Sequence, residues 1–225
     1  MLEHTLFINL TERKDRLHHV LQELSKIGIN SPIRINAIKH QIGAIGCTLS
    51  HIAALEYAKD EQWEQVFICE DDITFLNPAL LRENIEKFAA RGLSWDVLII
   101  GGNNTPPFTI IEQNECCRVF NCQTTTGYIV HKHYYDALIQ NFKESVRNFM
   151  REPTNHREYA LDIYWKRLQQ RDSWFMILPL TVIQYNNYSD IEQRVTDYRG
   201  LMLDMEKKWL FSTPQMKSRQ FPHSS

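Results

Sequence analysis

The 225-residue chain has no apolar run near the roughly 18–20 residues needed to cross a bilayer. Its opening segment, Met1 to Leu10, has no basic stretch ahead of the apolar residues and no small-residue cleavage site. A signal peptide is therefore not expected, and the segment reads as a first strand. Nor is there an excess of positive charge: the net charge is -2, with Lys and Arg spread along the chain. That excludes the electrostatic footprint of a nucleic-acid-binding protein. Low-complexity stretches and internal repeats are missing. The five cysteines, Cys47, Cys69, Cys116, Cys117 and Cys122, are odd in number and match no zinc spacing. They read as reduced thiols in a cytoplasmic protein, with a metal or redox site at Cys116, Cys117 and Cys122 as the alternative. No Gly-x-Ser-x-Gly elbow is present, against an α/β-hydrolase.

What remains is an ordinary globular composition, 43% apolar and 23% charged, with enough chain for one sizeable core. Apolar runs at Thr5–Leu10, Ile33–Asn36, Gln65–Cys69 and Asp96–Ile100 read as strands. Between them lie amphipathic helices, one carrying Leu17, Val20, Leu21, Leu24 and Ile27 and stopping at Gly28, one starting near Cys47. This alternation predicts an α/β fold with a largely parallel sheet covered on both faces. A β-hairpin is expected between Asn103 and Gln123, then a strand at Gly127–Val130 and a helix through Leu138 and Phe142. Further elements are a helix over Tyr159–Gln170, strands at Met176–Leu178 and Val182–Ile183, and a helix from Leu201 to Leu210 before a polar tail. Residues 1–195 form the expected main domain, and 196–225 the C-terminal helix and tail.

Chemistry concentrates at Glu70-Asp71-Asp72, between two apolar runs. Three adjacent carboxylates at a strand's carboxyl end repel one another unless a cation compensates. A hard divalent ion fits such an oxygen-rich place, Mg²⁺ or Mn²⁺ above all. The alternative is a solvated acidic turn. Asp162, opening an apolar-periodic helix, can serve as a general base in a cleft or simply as a first-turn acid. Gly43 to His51 brings small residues into a helix with Ser50 and His51 on its early face, suited to a nucleotide or phosphate. It lacks the Gly-Lys-Ser of a phosphate loop and the position of a dinucleotide fingerprint. His18-His19 and His131-x-His133 can ligate metal, but solvated helix faces are the expectation.

Together these segments resemble glycosyltransferase family 25, which includes lipooligosaccharide and collagen galactosyltransferases. The resemblance runs through Phe7-Ile8-Asn9-Leu10 with Arg13, Asp15 and Arg16, then Gly46-Cys47-x-Leu49-Ser50-His51, Glu70-Asp71-Asp72 and Trp95-Asp96-Val97-Leu98. It continues through Thr126-Gly127-Tyr128-Ile129-Val130, Asp162, Pro179, Gln184 and Ser189-Asp190-Ile191. It implies a GT-A type nucleotide-sugar-binding fold and an inverting, metal-dependent transfer from a UDP-sugar, such as UDP-galactose, to a glycan or glycoconjugate acceptor. Under it Asp72 holds Mn²⁺ or Mg²⁺ directly, Glu70 and Gln184 are further metal positions, and Glu70 and Asp71 contact the ribose or sugar or act through water. Asn9, Leu10, Asn36, Ala37, Ser50, His51 and Asp71 line the nucleotide-sugar pocket, and Asp162 is the base. Two rivals are an inactive nucleotide-sugar-binding module and a haloacid dehalogenase-like phosphatase. The second needs a nucleophilic Asp where Glu70 stands.

Overall fold

The computed structural model describes residues 1–111, 115–189 and 194–210. The first apolar run forms β1 (Thr5–Asn9), followed by α1 (Lys14–Lys26). Gly28 ends this helix at φ +79°, where the amides of Gly28 and Ile29 bond back to Ser25 and Leu24. Next come β2 (Ile33–Asn36), α2 (Gly43–Asp60), β3 (Gln65–Glu70), the short β4 (Ile73–Phe75) and α3 (Pro78–Ala90). The middle of the chain supplies β5 (Val97–Asn104), the hairpin β6 (Phe108–Ile110) and β7 (Cys116–Val119), and the long β8 (Cys122–His131). Then follow α4 (Tyr135–Arg151), three four-residue helices α5 (His156–Tyr159), α6 (Leu161–Tyr164) and α7 (Lys166–Gln169), and β9 (Trp174–Ile177). The described residues end with β10 (Val182–Gln184), β11 (Asn187–Ser189), β12 (Arg194–Thr196) and α8 (Arg199–Leu203).

Eight strands make one sheet in the order β2-β1-β3-β8-β5-β9-β7-β6. Parallel pairing joins β1 to β2 and β3, and β5 to β9, while β8 and β7 run against the other six. The expected α/β fold with a mostly parallel, helix-flanked sheet is thus what the chain forms. Alternation along the strands sends Leu6, Ile8, Val66 and Ile68 to one face, with residues of α2 and α4. Phe7, Phe67 and Cys69 go to the other, with residues of α1 and α3.

Three expectations need correction. The second helix starts at Gly43, four residues before Cys47, because Gly46 lets it lie against the Ile38 carbonyl, 2.4 Å from where a Cβ would stand. The single helix over Tyr159–Gln170 is instead the last residue of α5 followed by α6 and α7: Ala160 is extended (ψ 142°) and separates α5 from α6, while Trp165 between α6 and α7 keeps helical dihedrals. The helix from Leu201 to Leu210 is the shorter α8 plus a 3-10 turn at Lys208–Leu210. Between them Lys207 is buried, its ammonium donating to the carbonyls of Asn104, Leu201 and Asp204. Asp190 and Ile191 of the resemblance and the tail from residue 211 lie outside the described residues. Among the described residues, no helix is long and apolar enough to cross a membrane.

Candidate active site

The parallel strands β1, β2 and β3 end together, and their carboxyl ends form the crevice where open α/β sheets hold ligands. Asn9 closes β1, Asn36 closes β2 and Glu70 closes β3, and Asn9 pairs with Asn36 in the ladder. Asn9 is buried and its amide donates to Asp71 Oδ2 at 2.6 Å, leaving its own Oδ1 without a partner. Leu10 follows directly, and Ala37 is tied to the Asn9 carbonyl by its amide at 3.0 Å. Asn9, Leu10, Asn36 and Ala37 thus lie together at this end of the sheet.

Asp71 and Asp72 are both only 7% exposed. Arg16, one turn into α1, donates to Asp71 Oδ1 at 2.9 Å and to Asp72 Oδ2 at 3.3 Å, and reaches the Tyr188 carbonyl at 3.0 Å. One guanidinium thus faces two buried carboxylates, with Glu70 next along the chain. Burial, then the charge of Glu70, pushes the Asp72 carboxyl up to about 8 despite Arg16. Asp71 is also raised, by burial, against the pull of Arg16 and Asn9. Asp72 Oδ1 is buried with no hydrogen-bond partner. An acceptor left bare in a place short of positive charge suits a cation. Gln184 lies across from Ile73 in the β4–β10 ladder, and the Tyr185 amide holds the Asp72 carbonyl at 2.6 Å. Gln184 is therefore carried to the edge of the acidic turn.

Glu70 is held differently. Its Oε1 accepts from Thr125 Oγ1 at 2.5 Å and from His51 Nε2 at 3.2 Å, with Cys47 Sγ at 3.9 Å. Burial pushes the Glu70 carboxyl up, but the His51 and Thr125 bonds hold it below its ordinary value overall. The Cys47 thiol is pushed well up by burial and then by Glu70, Asp162 and Asp72. Asp162, second residue of α6, accepts the Thr124 amide at Oδ2, 2.9 Å away. Thr124 has φ 77°, a conformation uncommon for a residue with a Cβ. Burial raises the Asp162 carboxyl, opposed by the Thr124 amide and Lys166.

Ser50 and His51 are fully buried, and their hydrogen-bonding capacity is spent inside the protein. Ser50 accepts from the Ile38 amide and donates to the Gly46 carbonyl, fixing the loop after β2. His51 is engaged through both nitrogens, by Glu70 and by the Tyr128 hydroxyl at 2.8 Å. Of the other histidines the sequence singles out, His18 is exposed on α1, the solvated helix face expected of it, whereas the remaining three are not on such a face. His19 meets the Ile73 carbonyl and stacks on Tyr185, and His131 and His133 sit at the end of β8 and in the turn after it, His133 bonded to Asp96. Sequence reasoning gave no role to Arg16, Thr124, Thr125 or Tyr128. The signals were an Arg soon after the first strand, three consecutive threonines entering an apolar strand, and a strand Tyr whose hydroxyl needs a partner.

Comparison with known proteins points the same way. Residues 41–97 match the family model of glycosyltransferase family 25 (LPS biosynthesis protein). That span holds α2, β3 and the acidic triplet. No curated protein matches the chain in sequence. Among solved structures it is similar to UDP-glucose pyrophosphorylase from Acinetobacter baumannii, at 10% identity and TM-score 0.48, covering 82% of this chain and 88% of that one. It is also similar to a glycosyltransferase involved in glycosylation of the PBCV-1 major capsid, at 10% identity and TM-score 0.46, covering 79% and 94%. A third is a Drosophila galactosyltransferase 7 mutant in complex with manganese, UDP-Gal and xylobiose, at 12% identity and TM-score 0.45, covering 100% and 82%. At these scores the likeness is distant.

Proposed function

We propose that this family 25 glycosyltransferase moves a sugar, galactose being the first candidate, from a UDP-linked donor to a glycan or glycoconjugate hydroxyl with inversion, aided by Mn²⁺ or Mg²⁺. The reading rests on one observation above others: the bare, buried Asp72 Oδ1 within a carboxylate cluster at the end of β3. Asp72 would hold the cation, with Gln184 carried alongside it and Asp71 fixed by Asn9 and Arg16. When bound, the cation neutralises charge developing on the leaving diphosphate. Asn9, Leu10, Asn36 and Ala37, at the ends of β1 and β2, form the nucleotide side of the crevice. Asp162 takes the proton of the acceptor hydroxyl, and its raised carboxyl moves it toward the range in which a base works best. Five free thiols suit the reducing cytoplasm.

The test is UDP release from UDP-sugars with Mn²⁺ and with chelator, in the wild type and in Asp162→Asn. Loss of the base should slow transfer by about 10²–10⁴-fold. Affinity for UDP with Mn²⁺, read by calorimetry, should stay put. An Asp162→Asn variant as fast as the wild type would remove the base. Sugar nucleotide binding without UDP release would make the chain a binding module, and phosphate release from simple esters would make it a phosphatase.

A further inference from the structure

The long strand β8 is irregular where it passes Asp162. Against β5, Gly127 pairs with Gly101 and Gln123 with Asn103, so Thr124, Thr125 and Thr126 together face the single residue Gly102. Extra residues of this kind bulge out of the ladder, and bulges beside active sites re-aim the groups they carry. At the first residue of this one, Thr124, φ is 77°. For a β-branched residue that is an outlier, held only where the surroundings over-determine it.

Both flanks of Thr124 are anchored. Before it, the Gln169 side chain grips Cys122 through amide and carbonyl, and the Cys122 carbonyl also accepts the Trp165 indole N–H at 2.8 Å. Gln123 Oε1 accepts from Lys166 Nζ at 2.8 Å, four residues past Asp162. After it, the Thr125 hydroxyl is tied to Glu70. Stretched between these points, Thr124 delivers its backbone amide to Asp162 Oδ2 at 2.9 Å.

Asp162 needs that bond. It stands second in a helix of only four residues, and no other residue bonds its carboxylate among the described residues. With Oδ2 held by an amide, the plane of the carboxylate is set, and Oδ1 is the oxygen left for an incoming hydroxyl. A glycine would reach the same φ without strain, but would leave it as readily. A residue with a Cβ has only a small left-handed well to occupy, so its amide cannot swing.

We infer that Thr124 is a positioning residue of the base: the strained bulge of β8 aims the Asp162 carboxylate at the acceptor hydroxyl and gives up stability to do so. This rests on the transferase reading, in which Asp162 is the base, and adds the device that orients it. Thr124 acts through Asp162 and transfers no proton itself.

Stability and rate should therefore part company at this position. In thermal melts of the whole protein Thr124→Gly should unfold no lower than the wild type, although glycine within a strand ordinarily weakens it. Turnover is read as UDP release, with Mn²⁺, from the best donor among UDP-galactose, UDP-glucose and UDP-N-acetylglucosamine. Thr124→Gly should lower kcat by roughly 10–100-fold, the scale of a misplaced group, and leave KM for the donor unchanged. Thr124→Asn, which tolerates the left-handed conformation yet keeps a Cβ, should restore near wild-type turnover. A purely structural residue would instead lose rate and stability together. Without substrate, the Thr124 amide signal in ¹⁵N–¹H spectra should shift when Asp162→Asn removes its charged acceptor. The inference is overturned if Thr124→Gly turns over like the wild type while Asp162→Asn is slow. It is overturned too if Thr124→Gly melts lower, or if the Thr124 amide ignores Asp162→Asn. Wild-type turnover in Asp162→Asn, or no UDP release from any donor, is instead the failure of the transferase reading. The melts and the amide shift then still decide whether Thr124 is a strained clamp on Asp162.

Discussion

Replacing Asp72 by Asn should stabilise the cation-free protein while removing its response to metal. Asp72 is buried, and its carboxyl stands at about 8 against an ordinary 3.8. The difference, 8 minus 3.8, is about four pH units, which at ~1.4 kcal/mol per unit sets a ceiling near 6 kcal/mol. Arg16, which loses one of two carboxylate partners in the variant, reduces the gain to about 1–3 kcal/mol. The sign follows from proton counting. With its pKa raised in the folded state, Asp72 keeps its proton between about pH 4 and 8 where the unfolded chain has lost it. Its contribution to stability is therefore present at low pH and lost as pH rises through that window. In chelator at pH 8.5 the Asn variant should melt higher, by ~2–4 °C per kcal/mol in a chain of this size. At pH 5 the two should differ little. Mn²⁺ at 100 times its dissociation constant should stabilise the wild type by about 2.7 kcal/mol and leave the variant unmoved. A variant that melts lower than the wild type in chelator at pH 8.5 would refute the reasoning, because Asp72 would then be a net stabilising partner of Arg16.

Other outcomes follow from the same structure. Arg16→Gln should destabilise the cation-free protein by ~1–3 kcal/mol, since two buried carboxylates lose their counter-charge, and Mn²⁺ should recover much of this in thermal melts. Gly46→Ala should cost about 1–3 kcal/mol in denaturant unfolding, because its Cβ would meet the Ile38 carbonyl at 2.4 Å, a backbone atom that cannot rotate away. All five cysteines are free, so activity and melting should be the same with and without a reducing agent, and inactivation by reduction would contradict this.

The sheet's first three strands were legible because β1, β2 and β3 are short apolar runs bounded by turn signals. The onset of α2 was not: Gly43-Ala44-Ile45-Gly46 has poor helix propensity, and only contact with the Ile38 carbonyl explains the second glycine. Nor were β4, β11 and β12, three residues each and too short for any period to show. At the site, the carboxylates announced themselves by their crowding. Their partners did not, since Thr125 and Tyr128 meet Glu70 and His51 only through the antiparallel pairing of β3 with β8. Ser50 and His51 read as ligand contacts because a helix start offers them. Their burial, which the sequence could not show, turns them inward.

That pairing has a kinetic consequence. In chain order β8 comes after β5, yet it lies between β3 and β5, so the first 104 residues cannot close the centre of the sheet. The contact that completes it spans the middle of the chain, and long-range closures of this kind form late and slowly. Seating β8 in the gap brings the Thr125 hydroxyl onto Glu70 and the Thr124 amide within reach of Asp162. During synthesis, an emerging N-terminal half carries an open seam with two unpaired strand edges, exposed until the ribosome has delivered His131.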